Sequence, residues 1–200
     1  MIREVLMNEV NEYIISEKTI ALIPINHNKY RTKIIAVDGV FYSTKTPFQI
    51  MEVSCIHGGA SYDGRRQAVI YFTRFTQRVP IPVKPQEHIY AFPTLSPSNY
   101  QCIWIIVHHV KDVYPLENDK TLIVFGNYAE LIVPVSFYTI QEQLKKTTLC
   151  AGRFSPPYKF CFWIDPQDRT IRRNLTDHLS NKDDEDENDN DNGEDRILIK

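Results

Sequence analysis

The chain has 200 residues, enough for one domain, and its 25 acidic and 23 basic residues give a formal net charge of −2. Nine of the acids lie in residues 183–195, DDEDENDNDNGED, so residues 1–182 hold 21 basic and 16 acidic residues and carry a net charge of +5. This basic excess favours a polyanionic partner such as nucleic acid, although ordinary solubility patterning produces similar values.

The same composition excludes secreted and membrane-spanning classes. Residues 1–13, MIREVLMNEVNEY, lack the apolar core of a secretion signal, and no apolar run approaches the ~18 residues that span a bilayer. Cysteines 55, 102, 150 and 161 form no C-x-x-C pair and lie among apolar neighbours, which favours reduced, buried thiols over metal ligands. We expect a cytoplasmic protein with a folded domain over residues 1–180. Residues 181–200 should form a disordered acidic tail, because residues 183–195 contain no apolar side chain and cannot bury enough surface to fold.

The first elements in chain order are two hairpins. Residues 13–15 and 19–25 read as strands joined by a polar turn. Residues 33–37 and 40–43 flank Asp38-Gly39, a pair that favours a type I′ turn because both central residues need positive φ.

A helix is predicted after the second hairpin. Thr46 is the expected N-cap, Pro47 takes the first helical position, and Gln49 completes a capping box. Gly58-Gly59 should end the helix, because glycine accepts the left-handed conformation that follows a helix. The predicted inward residues are Phe48, Met51, Val53 and Cys55.

Ser61 can cap a second helix. The apolar positions follow helical spacing at Ala68, Tyr71, Phe72, Phe75 and Val79, and this spacing predicts one inward stripe. The alternative is a strand over residues 68–75, AVIYFTRF, which is rich in β-branched and aromatic residues. We favour the helix because strand alternation is poor.

The densest apolar part of the chain lies in residues 88–111. Residues 88–92 read as a short strand, residues 93–100 as an ordered loop, and residues 101–110 as an apolar run without alternation. A run that is apolar on both sides predicts a central strand, with His108 and His109 on opposite faces.

The last third of the chain predicts a hairpin and two helices. Residues 121–125 and 130–133 form the hairpin, which turns at residues 126–128 and ends at Pro134. A helix begins at its N-cap Thr139 and runs to about residue 150, with Ile140, Leu144 and Thr147 facing inward. Aromatic residues crowd into residues 154–166, and Asp165 caps a further helix. The chain is therefore predicted to be an α+β protein, with a hairpin-rich mixed sheet, a central apolar strand and about four helices.

Catalytic signals are sparse. The sequence has no nucleotide-binding loop, no H-E-x-x-H and no cysteine quartet, so we expect no enzyme, no cofactor and no metal. Adjacent histidines on a strand point to opposite faces and make a poor metal site. Cys102 lies within the predicted core, where a thiol stays protonated and inert.

Signals for DNA binding are stronger. Residues 63–84 contain one acid, Asp63, and five basic residues, which are candidate DNA contacts: Arg65, Arg66, Arg74, Arg78 and Lys84. Basic side chains on one side of a helix can neutralise phosphates, although a merely solvated helix face would look the same. The predicted loop adds Ser96 and Asn99, whose polar groups suit contacts to the DNA backbone or groove, although a structural turn would use the same residue types. A smaller basic group follows near the C-terminus: Arg169, Arg172 and Arg173.

Four collinear blocks resemble a known family. Residues 47–50 (PFQI), 54–55 (SC), 61–66 (SYDGRR) and 92–104 (FPTLSPSNYQCIW) are similar to blocks of the ComK family of bacterial competence transcription factors. The resemblance covers roughly residues 10–180. Two features depart from the family pattern: Ile103 stands where a small residue is common, and the acidic tail has no counterpart.

The resemblance implies a function, a mode of assembly and a set of partners. ComK-type proteins are sequence-specific activators of competence genes, and they bind paired A/T-rich boxes of double-stranded DNA, largely in the minor groove. They act at the nucleoid as dimers assembled into larger homo-oligomers, with RNA polymerase as an expected partner. A Clp-protease adaptor docks on aromatic sequence near the C-terminus, which Phe160, Phe162 and Trp163 resemble. The alternative is a diverged paralogue that binds no DNA and titrates a protease adaptor or a partner subunit.

Overall fold

The computed structural model describes residues 8–155. The predicted acidic tail, the predicted helix after Asp165 and the aromatic segment with Phe160, Phe162 and Trp163 lie outside these residues. The strands are β1 (Asn8–Val10), β2 (Thr19–Pro24), β3 (Thr32–Ala36), β4 (Gly39–Ser43), β5 (Ile81–Lys84), β6 (Ile89–Pro93), β7 (Trp104–Ile106), β8 (Val110–Leu116), β9 (Lys120–Phe125) and β10 (Glu130–Val133). The helices are α1 (Pro47–His57), α2 (Tyr62–Thr73) and α3 (Phe137–Phe154), with short 3₁₀ turns at Pro85–Glu87 and Val107–His109.

The strands form two sheets, and the α+β class is confirmed. The larger sheet has seven strands in the order β1-β4-β3-β2-β7-β6-β5, and the smaller has three in the order β10-β9-β8. The larger sheet is mixed, because β1 pairs with β4 in parallel while its other pairs are antiparallel. Three α-helices lie within the described part of the chain.

Strand β7 is the predicted interior strand. It lies between β2 and β6 and is fully buried. Trp104 and Ile106 pack in a core cluster with α1 and α2, whereas Ile103 and Ile105 pack in a second cluster with the three-stranded sheet and α3. An apolar run without alternation therefore does mark a strand that is covered on both faces.

The apolar run is not all strand, however. After Ile106 the chain enters the 3₁₀ turn Val107–His109, which ends the extended geometry. The prediction that His108 and His109 occupy opposite faces is therefore wrong, since their ring centroids lie 4.1 Å apart.

The first half of the chain shows one correct and one wrong strand prediction. The β3–β4 hairpin is confirmed, but its turn residues are Val37 and Asp38, and the positive φ of +142° falls on Gly39. Residues 13–15 do not form a strand, because the backbone N–H of Ile15 donates to the Ser54 hydroxyl at 3.0 Å instead of to a neighbouring strand. Strands β1, β5 and β8 were not predicted.

Helix α1 follows its capping signals closely. Thr46 is the N-cap, and its hydroxyl accepts from the backbone N–H of Gln49 at 3.2 Å, while the Gln49 side-chain oxygen accepts from the backbone N–H of Thr46 at 3.0 Å. The helix ends at Gly58, and Gly59 has a φ of +90°. Val53 was predicted to face inward but is exposed.

Helix α2 is a helix and not a strand, but its predicted apolar stripe is wrong. The helix ends at Thr73, and Arg74 takes a left-handed φ of 63° at its C-cap. Phe75 and Val79 therefore lie beyond the helix. Within the helix, Tyr71 and Phe72 are exposed, and the buried positions are Tyr62 and Val69.

Helix α3 is longer than predicted at both ends. Its N-cap is Ser136, whose hydroxyl accepts from the backbone N–H of Thr139, so the predicted cap at Thr139 is wrong. Ile140 and Thr147 are buried as predicted. The buried Gln143 amide donates to the carbonyls of Arg78 and Pro93 at 2.9 and 2.8 Å, which ties the helix to the ends of neighbouring segments.

Candidate nucleic-acid interface

An open groove of about 1380 Å³ lies among the described residues 8–155. One wall is the loop of residues 96–103, which precedes β7. The other walls are the first turns of α2, the start of α1 and the connection between β2 and β3. The groove therefore combines two loops and the starts of two helices on one face of the domain.

The loop wall is held by its own hydrogen bonds. The backbone N–H of Thr94 donates to Ile103 at 2.9 Å, and that of Asn99 donates to Ser96 at 2.8 Å. The Asn99 side-chain oxygen accepts from the backbone N–H of Gln101 at 2.8 Å. A loop fixed at both its base and its tip presents its exposed side chains in a defined arrangement.

Basic side chains line the other walls. Arg66 projects from the start of α2 and Arg31 from the β2–β3 connection, and neither takes part in an ion pair within residues 8–155. Asp63 is the one acid among the lining residues. The groove thus combines the polar side chains of the loop with two guanidinium groups that form no ion pair among the described residues.

The floor of the groove is apolar and chemically inert. Phe48 and Tyr62 pack edge to face with centroids 4.9 Å apart, and Tyr62 packs in the same way on Trp104 at 6.1 Å. Burial raises the pKa of the Tyr62 hydroxyl, and burial also raises the pKa of the Cys102 thiol to about 11. Both groups are protonated at neutral pH, so neither supplies a nucleophile or a general base.

Three of the predicted DNA contacts meet in this groove. Arg66, Ser96 and Asn99 all line it, although they are far apart in the sequence. Arg31 and Tyr100 line it as well and were not predicted. Arg31 ends the polar stretch NHNKYR between two strands, a signal that could have pointed to a basic loop.

The other predicted contacts lie away from the groove lining. Arg65 is half-buried and donates from Nη2 to the carbonyl of Gly58. Arg74 is exposed at the C-cap of α2, and the Arg78 carbonyl accepts from α3. Lys84 lies 3.5 Å from Glu87, and only 14% of its side chain is exposed. A DNA contact by any of these four stays a prediction.

The imidazole rings of His108 and His109 contact the protein backbone. Nε2 of His108 and Nε2 of His109 lie 3.1 and 2.7 Å from the same carbonyl oxygen, that of Glu17. Partial burial and the neighbouring His108 lower the pKa of His109 below its ordinary value. In the described residues no group of three potential metal ligands occurs, and none of the helices there is long and apolar enough to cross a membrane.

Comparison with known proteins identifies the family. Residues 10–159 match the family described as ComK protein. The chain belongs to the ComK family. One relative, the competence transcription factor of Bacillus subtilis (strain 168), is 35% identical over 146 residues, which cover 72% of this chain and 76% of the relative. No solved structure matches. Every residue that lines the groove falls within the part of the chain that matches the ComK family.

Proposed function

We propose that this ComK-family protein is a sequence-specific DNA-binding activator of competence genes, and that the groove holds A/T-rich duplex. The observation that carries the proposal is the convergence of Arg31, Arg66, Ser96 and Asn99 on one concave face. The matched relative is named a competence transcription factor, which supports the same role for this chain.

The chemistry of the groove suits minor-groove reading. A minor groove about 6 Å wide in B-DNA admits single side chains or a loop but no helix, and it shows mostly acceptors at A·T pairs. Arginine is attracted to the narrow minor groove of A-tracts, where the negative potential is enhanced. Arg31 and Arg66 can supply this charge, while the Asn99 amide and the Ser96 hydroxyl can supply hydrogen bonds to base edges or phosphates.

Family membership also supports the prediction that the protein is not an enzyme. The groove agrees with this, because its buried thiol and phenol are both held protonated. A surface that binds DNA without catalysing a reaction needs positive charge and a complementary shape, and the groove with Arg31 and Arg66 provides both.

The remaining partners follow from the family. We infer a homodimer or larger homo-oligomer that acts at the nucleoid in the bacterial cytoplasm, contacts RNA polymerase and is removed through a Clp-protease adaptor. Phe160, Phe162 and Trp163 are the proposed adaptor contacts. Cross-linking of the purified protein and pull-down with the adaptor would test the first and last of these inferences.

The central test measures DNA binding by fluorescence anisotropy on an A/T-rich duplex over a range of salt concentrations. Arg31→Ala and Arg66→Ala should each weaken binding, and each lost phosphate contact should lower the salt slope by about 0.9. Lys120→Ala is the matched control, because Lys120 is exposed on β9 and does not line the groove. Arg74→Ala tests whether the DNA contacts are confined to the groove or extend along the whole of α2, since Arg74 is exposed at the far end of that helix. Unchanged affinity in the Arg31→Ala, Arg66→Ala double variant would remove the groove from the interface.

One observation favours the second candidate, an interaction protein that binds no DNA. Exposed aromatic side chains cluster where α2 and α3 meet: the ring centroids of Tyr71 and Phe72 lie 5.0 Å apart, and those of Phe72 and Phe154 lie 5.9 Å apart. The Arg153 guanidinium lies 4.4 Å from the Phe72 centroid. Exposed apolar patches often mark protein contacts. No anisotropy change with A/T-rich duplex at low salt, together with loss of self-association or partner-subunit binding in Phe72→Ala, would favour this candidate over the first.

A further inference from the structure

Tyr100 is the most exposed large apolar side chain in the described part of the chain, with 84% of its surface accessible to solvent. It lies on the loop wall of the groove, which Arg31 and Arg66 also line. We propose that Tyr100 is a wedge that inserts between two base pairs of the bound duplex and kinks it. This inference rests on the proposed function of the groove, and it adds one specific residue and one specific deformation of the DNA.

The loop is built to hold Tyr100 outward. The residues on either side of Tyr100 are joined by a side-chain bond, since the Asn99 oxygen accepts from the backbone N–H of Gln101 at 2.8 Å. The backbone N–H of Cys102 donates to Asn99 at 3.0 Å, and the Cys102 thiol donates to the carbonyl of Leu95 at 3.4 Å. These bonds fix the backbone on both sides of Tyr100, and from this backbone the ring extends into solvent. An aromatic side chain that is kept in water without an internal partner is suited to an external one.

The neighbours of Tyr100 fit a deformed minor groove. Proteins of the minor groove commonly pair amide or guanidinium side chains, which contact base edges, with an apolar wedge that unstacks one base step. Asn99 and Gln101 are exposed amide side chains beside Tyr100, and Arg31 and Arg66 supply the charge. Unstacking costs least at pyrimidine–purine steps, above all TA. A wedge at this position therefore predicts that the protein prefers A/T-rich sites that contain a TA step.

Two other roles for Tyr100 are chemically possible, and substitutions separate all three. A wedge needs an apolar body, so Tyr100→Phe and Tyr100→Leu should keep the function while Tyr100→Ala loses it. A hydrogen bond from the hydroxyl to phosphate should be lost in Tyr100→Phe. Stacking on an unpaired base should survive in Tyr100→Phe but not in Tyr100→Leu, because leucine has no aromatic face. The high exposure of Tyr100 means that none of these changes should disturb the fold.

The experiment uses the full-length protein and two A/T-rich duplexes of equal composition, one with a central TA step and one without any pyrimidine–purine step. Each duplex carries a donor and an acceptor dye at its ends to report bending, and a 2-aminopurine beside the central step to report unstacking. With the unaltered protein, the TA duplex should bind about tenfold more tightly, shorten its end-to-end distance and brighten the 2-aminopurine. Tyr100→Ala should lose all three effects and keep its melting temperature.

The controls distinguish failure of the wedge from failure of the proposed function. Arg66→Ala should bind less at a given concentration, but its saturated complex should show the same bend and the same 2-aminopurine signal. If Tyr100→Ala binds, bends and unstacks the TA duplex like the unaltered protein, the wedge is wrong while DNA binding in the groove stands. If neither Arg31→Ala nor Arg66→Ala changes affinity, the groove itself is wrong, and the wedge is refuted with it.

Discussion

Arg65 and Arg66 are neighbours in the sequence, but changing each to alanine should affect a different property: Arg65→Ala the stability of the fold, and Arg66→Ala the affinity for DNA. Arg65 donates from Nη2 to the carbonyl of Gly58, the C-cap of α1, and thereby joins α2 to the end of the preceding helix. Helix C-termini carry carbonyls without intrahelical partners, and a cation there also interacts favourably with the helix dipole. Arg66 takes part in no such contact within the described residues and points into the groove.

The expected magnitudes follow from these contacts. A hydrogen bond to a charged group contributes about 1.5–3 kcal/mol, and the dipole adds about 0.3–1 kcal/mol at a partly exposed site. Arg65→Ala should therefore lower the free energy of unfolding by about 2–3 kcal/mol, whereas Arg66→Ala should change it by less than about 0.5 kcal/mol. DNA affinity should show the opposite order when it is measured at a temperature where both variants are fully folded.

Urea denaturation followed by tryptophan fluorescence measures the first effect, and anisotropy on the A/T-rich duplex measures the second. Arg65→Lys is a useful intermediate, because it keeps the charge near the helix end but loses the planar guanidinium geometry. Equal unfolding free energies for Arg65→Ala and Arg66→Ala would refute a structural role for Arg65. Arg65 would then again be a candidate for contact with DNA.

Three further predictions concern stability. Gly58→Ala should destabilise the protein by at least about 1–3 kcal/mol, because an added Cβ would lie 2.2 Å from the backbone carbonyl oxygen of Val83. Gly152→Ala in α3 is the matched control. It should be neutral or stabilising, since its Cβ would meet nothing within 4 Å. Trp104→Ala should cost about 3–5 kcal/mol in urea denaturation, and a variant that keeps its stability would contradict the burial of the indole. The pKa of His109 is lower in the folded protein than in the unfolded chain, so the unfolded chain binds the proton more tightly. The stability that depends on neutral His109 should be present above about pH 7 and should fall as the pH drops below about 6.5. Thermal melts of His109→Asn should show a flatter pH dependence than those of the unaltered protein.

Local signals predicted the fold where a few adjacent residues decide the structure. The capping box of Thr46 and Gln49 and the glycine pair after His57 specify both ends of α1, and the structure agrees at both. The stripe assigned to α2 failed in two ways: it continued to Phe75 and Val79, past the end of the helix at Thr73, and within the helix it placed Tyr71 and Phe72 inward although the buried face carries Tyr62 and Val69. Nothing in the spacing of residues 68–79 shows that Arg74 takes a left-handed conformation, since that turn is imposed by how the following residues pack.

The candidate site illustrates the same limit. Five basic residues lie close together in residues 65–84, yet only Arg66 lines the groove, because the others are separated by the end of α2 and by contacts to the rest of the fold. Arg31 lies far from this cluster in the sequence, and the pairing of β2 with β3 and β7 brings its connection beside the loop of residues 96–103. Such proximity depends on strand order, which charge density along the chain does not reveal.

The buried residues of the blocks that carry the family resemblance build the floor of the groove and the core beneath it. In residues 61–66, Ser61 caps α2 and Tyr62 packs on Trp104. In residues 92–104, Thr94 and Cys102 bond within the loop, and Trp104 is buried. Substitutions at these buried positions should abolish DNA binding by unfolding the domain, and that loss would say nothing about contacts. Specificity must instead lie in exposed side chains at the rim, where a change alters binding without altering the fold. A diverged paralogue could therefore keep every buried residue of these blocks and still lose DNA binding. The residues at the rim are the ones that distinguish a DNA-binding activator from a paralogue that shares the fold but binds no DNA.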